Sequence, residues 1–185
     1  MTTPVSPVGR AGNPPVKPGG LITCRPAISD ADLAAHHAIR RAVFVAEQGV
    51  FDGSDGDRHD EAPGVVHLLG RYAGAPAGAV RLFLLSPESG VWQGDRLCVL
   101  PQYRTCSIAA PLVRCAAASA GARGGTRMVA HIQLPNVGFF TRLGWRTEGD
   151  TEIYVGLPHQ PMSIELPPPE AGADIERELF TGIAY

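Results

Sequence analysis

No stretch of this 185-residue chain holds the run of about eighteen apolar residues that a membrane helix needs. The opening residues Met1 to Gly20 carry Arg10 and Lys17 but no continuous apolar run ahead of a small-residue cleavage site, so export is not indicated and a cytoplasmic location is expected. A block of lysines and arginines is also lacking. Sixteen basic side chains stand against eighteen acidic ones, for a formal net charge of −2, which leaves nothing to follow a phosphate backbone and excludes nucleic acid as an expected partner. The four cysteines, Cys24, Cys98, Cys106 and Cys115, contain no CxxC pair, so they read as reduced thiols rather than a disulfide framework or a zinc site. A chain of this length has room for one ordinary core.

Residues 1–20 are mainly Pro, Gly, Thr, Ser and Val, a composition that predicts a disordered tail. Leu21 to Pro26 reads as a strand. Ser29 or Asp30 can cap the helix that follows, whose apolar residues Leu33, Ala35, Ile39, Val43 and Phe44 fall near helical spacing and predict one face packed on a sheet. The segment Asp52 to Asp60, DGSDGDRHD, is dense in turn formers and acids and reads as a solvated loop; its register does not supply a calcium loop. Val65 to Tyr72 and Ala77 to Leu85 form a predicted hairpin about Gly74-Ala75-Pro76, and Trp92 to Leu100 is a third strand. A helix is expected over Ile108 to Ala120, with Pro111 near its start, where a missing N–H is harmless. Met128 to Ile132 is a short apolar strand, Val137 to Leu143 a short helix closed by Gly144, and Thr151 to Tyr154 with Met162 to Leu166 a last pair of strands. This order predicts an α/β (α+β) layer, helices over a mainly antiparallel sheet. After Pro167 to Pro169, residues 167–185 are a tail or short amphipathic helix, able to dock on this domain or on a second copy as a homodimer.

The stretch DRLCVLPQYRTCSIAAPLV, Asp95 to Val113, ends a strand, turns through Arg104 to Ser107 and starts a helix. Backbone N–H groups at such a turn face outward beside the positive end of the helix dipole, which suits a pyrophosphate. Arg104 through Ala109 resembles the acetyl-CoA pyrophosphate loop of GNAT (Gcn5-related) N-acetyltransferases, Q/R-x-x-G-x-G/A, with Ser107 in place of the middle glycine. Downstream, Asn136-Val137-Gly138-Phe139-Phe140-Thr141-Arg142-Leu143-Gly144-Trp145 resembles the family's N-x-x-A-x-x-F-Y-x-x-x-G-F segment with a shorter spacer. Where many relatives use a tyrosine to protonate the departing thiolate, this chain has Phe140, which has no proton to give. RAVFVAEQ (Arg41 to Gln48), the acidic loop and GLPHQPM (Gly156 to Met162) are similar to the ElaA-like branch and to N-acetyltransferases associated with nitrilase gene clusters. The first helix, the acidic loop, Arg81 and Trp92-Gln93-Gly94-Asp95-Arg96 also echo acyl-homoserine-lactone synthases, which carry a glutamate where Gln93 stands.

The resemblance, which covers 21–166, implies a GNAT fold: a mostly antiparallel mixed sheet with a splayed strand pair and helices on both faces. It implies acetyl-CoA as co-substrate, without a metal, lying across the strand edge of Leu97, Cys98 and Val99, with Arg104, Thr105, Cys106, Ser107, Ile108 and Ala109 at the pyrophosphate and Asn136, Phe139 and Phe140 also binding the cofactor. The Val99 N–H is then the natural oxyanion donor, and the acceptor is a small-molecule amine.

Direct transfer needs a group to deprotonate the amine and another to reprotonate the thiolate. Glu47 interrupts apolar residues and can accept the amine proton, or else is a surface glutamate. His131, on the strand facing the cofactor strand, is a base if it points to the cleft and a core histidine if not. His159 is read in a turn held by Pro158 and Pro161, and Tyr154 is the phenol to hand. Cys98 is a conceivable acyl carrier but has no basic neighbour in sequence. His59, Asp60 and His67 make a metal cluster only if they fold together. Two rival readings are a lactone-synthase-like enzyme and a catalytically silent CoA-binding module.

Overall fold

The computed structural model describes residues 19–184, so the tail expected over 1–20 lies outside the described residues except at its end, where the Gly20 amide donates to the Tyr72 hydroxyl at 2.6 Å. Among the described residues nine strands form one sheet. They are β1 (Leu21–Pro26), β2 (Val66–Tyr72), β3 (Ala75–Ser86), β4 (Val91–Val99), β5 (Arg127–Gln133), β6 (Arg146–Thr147), β7 (Glu152–Tyr154), β8 (Leu157–Glu165) and β9 (Ile183–Ala184). The spatial order is β6-β8-β5-β4-β3-β2-β1-β9, with β7 paired to β8. Every pairing is antiparallel except β4 with β5. A parallel pair needs a crossover, and the helix α2 (Ala109–Ala122) supplies it.

Helices cover both faces, as expected. On one face α1 (Asp30–Arg40) packs Ile39, with Val43 and Phe44 just beyond it, against Leu69, Ala79 and Cys98. On the other, α2 and α4 (Pro169–Thr181) cover the larger core of Leu68, Leu82, Leu112, Met128 and Met162. Helix α2 lies between the sheet and α4 and is apolar almost all round, whereas α1 covers its face of the sheet with its other side in solvent and is amphipathic.

Several expectations needed correction. Ser29 caps α1 by accepting from the Asp32 amide, but the α-helix ends at Arg40 and continues as a π-helical turn, Arg41–Glu47, in which the Gln48 amide donates to the Val43 carbonyl five residues back. The widened turn re-aims Glu47 and Gln48. The β2–β3 hairpin turns at Ala73-Gly74, both at positive φ, rather than at Gly74-Ala75-Pro76. Thr151–Tyr154 and Met162–Leu166 do not pair with each other: β7 pairs with the start of β8, through Tyr154↔Leu157 and Glu152↔His159. His159 therefore sits in a strand, not in a turn. Pro161 is accommodated where β8 changes neighbour, between the β7-paired residues and Met162, which pairs with β6.

The C-terminal segment docks on its own domain. Gly172 lies so close to α2 that a Cβ there would sit 2.7 Å from the Ala118 carbonyl oxygen, Ser119 donates to Glu176, and β9 extends the sheet beside β1.

Candidate active site

Strands β4 and β5 pair only through Val91↔Arg127, Trp92↔Met128 and Gln93↔Val129, then diverge. On the β3 side, β4 is irregular at the same level: Arg81 opposes Asp95 and Ala79 opposes Cys98, so Arg96 and Leu97 together face Val80, and Arg96 takes a positive φ of 53°. That bulge twists β4 away from β5 and opens a cleft of about 770 Å³. Its floor is apolar, made by Val113, Ala116, Met128, Ala130 and Trp145.

Past the bulge, the Leu100 amide donates to the Ala77 carbonyl at 2.9 Å. By the alternation of an antiparallel ladder, Val99 and its partner Gly78 are then a non-hydrogen-bonded pair, and the N–H and C=O of Val99 turn away from β3 toward the gap. Arg104 Nε donates to that Val99 oxygen at 3.2 Å.

The corner after β4 is a 3₁₀ turn over Pro101–Cys106 followed by Ser107 in the left-handed conformation (φ 58°, ψ 19°). A left-handed residue costs about 1–2 kcal/mol unless it is glycine, which gives a physical reason for glycine in the motif that this segment resembles. Among the described residues no side chain caps the start of α2, which leaves the N–H groups of its first turn available to an anion. Arg104, Ser107 and Ala109 line the cleft with Leu97, Cys98 and Val99, and Asn136, Phe139 and Phe140 line its other side. Of the other residues in the segment expected at the pyrophosphate, the side chains of Cys106 and Ile108 are buried in the core and Thr105 is exposed outside the cleft, so any part they take falls to their backbone. Phe140 is held edge-on to Trp145, with centroids 5.2 Å apart.

Three of the four expected catalytic side chains come together on one wall. The rings of His131 and Tyr154 stack with centroids 4.1 Å apart, and Tyr154 meets His159 edge-on at 5.5 Å. His131 Nε2 lies 2.8 Å from Glu152 Oε1. His159 Nδ1 lies 2.9 Å from the Leu157 carbonyl oxygen, which can only accept, so Nδ1 carries the proton and Nε2 the lone pair. Glu47 stands apart from them. Its carboxylate takes a bidentate pair from Arg104, at 2.8 and 2.7 Å, at the rim. Glu152 was missed in the sequence, although it lies two residues before Tyr154 and thus on the same face of its strand.

The acidic loop is not simply solvated, as its composition predicted; it is pinned. Arg81, fully buried, takes both carboxylate oxygens of Asp95 and both of Asp57, at 2.6 to 2.9 Å. Arg40 holds Asp55 and Asp60, and Arg96 reaches Asp57 at 2.9 Å while lying over the Phe51 ring. Burial alone would raise the Asp57 carboxyl, but the Arg81 hydrogen bonds, the His59 amide and the charges of Arg81 and Arg96 hold it below its ordinary value. Asp95 and Arg96 line the cleft, so this network sets one of its walls. Cys98 is buried, and burial pushes its thiol up to about 12. His59 stacks on Phe83 at 4.2 Å and does not join His67 in a cluster.

The profile of the acetyltransferase (GNAT) family matches residues 33–145. The chain belongs to this family. A Bacillus subtilis (strain 168) protein named "Putative acetyltransferase" is 29% identical over 132 residues, covering 71% of this chain and 88% of its own. Among solved structures, Escherichia coli ElaA superposes with a TM-score of 0.67 at 19% identity, covering 77% of this chain and 97% of ElaA. The CoA-dependent acyl-homoserine lactone synthase BjaI, solved with SAM and isopentyl-CoA, gives 0.64 at 16% identity, covering 84% and 89%. These two likenesses establish the GNAT fold. Membership makes the chain an acyltransferase of the acyl-CoA-using kind, and among the described residues no helix is long and apolar enough to cross a membrane.

Proposed function

We propose that this GNAT enzyme moves an acyl group, acetyl in the simplest case, from coenzyme A directly to the amine of a small molecule. The observation that carries the reading is the Val99 peptide turned into the β4–β5 gap, with a wall of His131, Tyr154 and His159 lining the same cleft. The residues fit a CoA thioester. The uncapped start of α2 offers N–H groups to the pyrophosphate, and the Val99 N–H is placed to stabilise the oxyanion as the amine adds to the thioester carbonyl.

His159, with its Nε2 lone pair, is the base that takes the amine proton, and the Leu157 carbonyl fixes that tautomer. Tyr154, held between His131 and His159, is the phenol that reprotonates the leaving thiolate in place of the tyrosine absent at Phe140. Glu152 orients His131 and so the Tyr154 ring stacked on it. Arg104 guides the phosphates once it leaves Glu47. A covalent route through Cys98 is disfavoured by its raised pKa.

The apolar floor favours one variation on this reading, a donor longer than acetyl, because Val113, Ala116, Met128 and Ala130 offer no polar side-chain group to an acyl tail. Thiol release should be followed across a series of straight-chain acyl-CoA donors and a panel of small amines, with S-adenosylmethionine as one arm. Turnover with an amine supports the proposal. A lactone product from S-adenosylmethionine would move it to the synthase reading, stabilisation by CoA without thiol release to the silent module, and no response to any CoA species would end it.

A further inference from the structure

Helix α1 carries two adjacent histidines that take no part in the cleft. His36 is fully buried against β3, with Nε2 3.3 Å from the Val80 carbonyl oxygen. His67, on β2, has Nε2 3.2 Å from the Asp60 carbonyl oxygen. A carbonyl oxygen only accepts, so in both rings Nε2 carries the proton and Nδ1 is left with the lone pair. Both Nδ1 atoms are buried without a hydrogen-bond partner among the described residues. Leaving such an acceptor unsatisfied costs about 1–3 kcal/mol, and here two occur in adjacent rings whose centroids are 4.9 Å apart.

His37 completes the group from the exposed side, with its ring 5.6 Å from each of the others. One nitrogen from each of the three rings lies within 4.8 Å of the other two. Around a tetrahedral zinc, with nitrogens at about 2.0–2.1 Å, neighbouring nitrogens are about 3.3 Å apart. Closing the rings by about 1.5 Å or less is within reach of side-chain rotation. The carbonyl contacts are also of the kind a metal site uses, since a ligating imidazole commonly donates its second N–H to a backbone carbonyl, which sets its tautomer and orientation.

We propose that His36, His37 and His67 bind a divalent transition metal of the zinc type, with three imidazole nitrogens and solvent at the fourth position. An all-imidazole donor set suits zinc, cobalt, nickel or copper and does not suit magnesium or calcium, which require oxygen. The ion ties α1 to β2 beside the acidic loop, through the Asp60 carbonyl that orients His67. Its role is to hold the scaffold, and the site is independent of the acyl-transfer reading.

The test uses untagged full-length protein stripped with a chelator, then titrated with zinc or cobalt(II) by calorimetry and by thermal melting. The expected result is one equivalent bound, a higher melting temperature and the visible absorption of tetrahedral cobalt, with no response to magnesium. His37→Ala, at an exposed position, should melt as the stripped parent does and bind at least about tenfold more weakly. His67→Gln should lose the cobalt spectrum. Absence of saturable zinc or cobalt binding overturns the proposal. So does binding undiminished in His37→Ala, which would put the metal elsewhere.

Discussion

Two polar clusters border the opening between β4 and β5, and they differ in how far their hydrogen-bonding capacity is used. In the Arg40, Arg81 and Arg96 network, each guanidinium is at most about a tenth exposed and meets at least two aspartate partners. In the wall of His131, Tyr154 and His159, the rings touch mainly by stacking, and His159 keeps a lone pair. A saturated cluster fixes shape, because each charge is already matched and moving one exposes another. An unsaturated cluster has capacity left for a proton in transit. Under the proposed function the first is scaffold and the second carries the chemistry, and the contrast can be broken at either end.

The largest effect is expected at Arg81. Arg81→Met removes the buried cation between Asp57, Asp60 and Asp95 and leaves carboxylates facing one another. Breaking a buried pair from one side costs about 3–5 kcal/mol, so the variant should unfold at markedly lower denaturant or accumulate as insoluble protein. Acid probes the same region more gently. Asp57 has a depressed pKa in the folded state, so the unfolded chain takes up its proton first, and stability present above the usual carboxylate range should fall as pH drops through it. A melting temperature indifferent to Arg81→Met would mean that the network is ornamental and the contrast false.

His159→Gln comes next and should behave in the opposite way. The fold should keep its melting temperature, while kcat/KM falls by about 10²–10⁴, the usual worth of a general base. The pH–rate profile should lose its acidic limb, and that readout separates proton transfer from mere positioning. A variant with normal rate but lower stability would place His159 with the scaffold.

Glu47 straddles the comparison. Its pair with Arg104 is exposed by 36% and 45% at the two side chains, and exposed pairs contribute about 0–1 kcal/mol. Glu47→Gln should therefore leave stability almost unchanged, release Arg104 toward the phosphates and lower KM for the acyl-CoA with kcat held. A hundredfold loss of kcat would instead make Glu47 the base and displace His159 from that role.

What the sequence made legible follows the range of the interactions. The corner at Arg104 to Ser107 and the start of α2 are set by neighbours in the chain, so turn chemistry and a local motif were enough to find them. The pinned acidic loop was not legible, because Asp57 is matched by Arg81 from 24 residues away and by Arg96 from 39, and composition alone reads such a loop as solvated. Two flanking prolines make the sequence around His159 read as a turn. In the fold, β8 exchanges one neighbour strand for another at Pro161, and that tertiary circumstance admits a proline. The missed Glu152 needed the β7–β8 register to bring it opposite His159, although its alternation with Tyr154 was visible.

The smallest effect is expected at Cys98, which lines the cleft and yet belongs with the satisfied side of the molecule. Its thiol is pushed up to about 12 by burial, so at pH 8 it stays in the thiol form, whereas the thiolate is the reactive one. Iodoacetamide at that pH should leave Cys98 unlabelled by peptide mapping, and Cys98→Ala should turn over acyl-CoA within a few-fold of the parent. Rapid labelling that acyl-CoA prevents, together with a burst of thiol release lost in Cys98→Ala, would make the cysteine an acyl carrier. The chemistry would then run through a covalent intermediate on β4, and the two-cluster division would have to be redrawn with the strand itself as the reactive element.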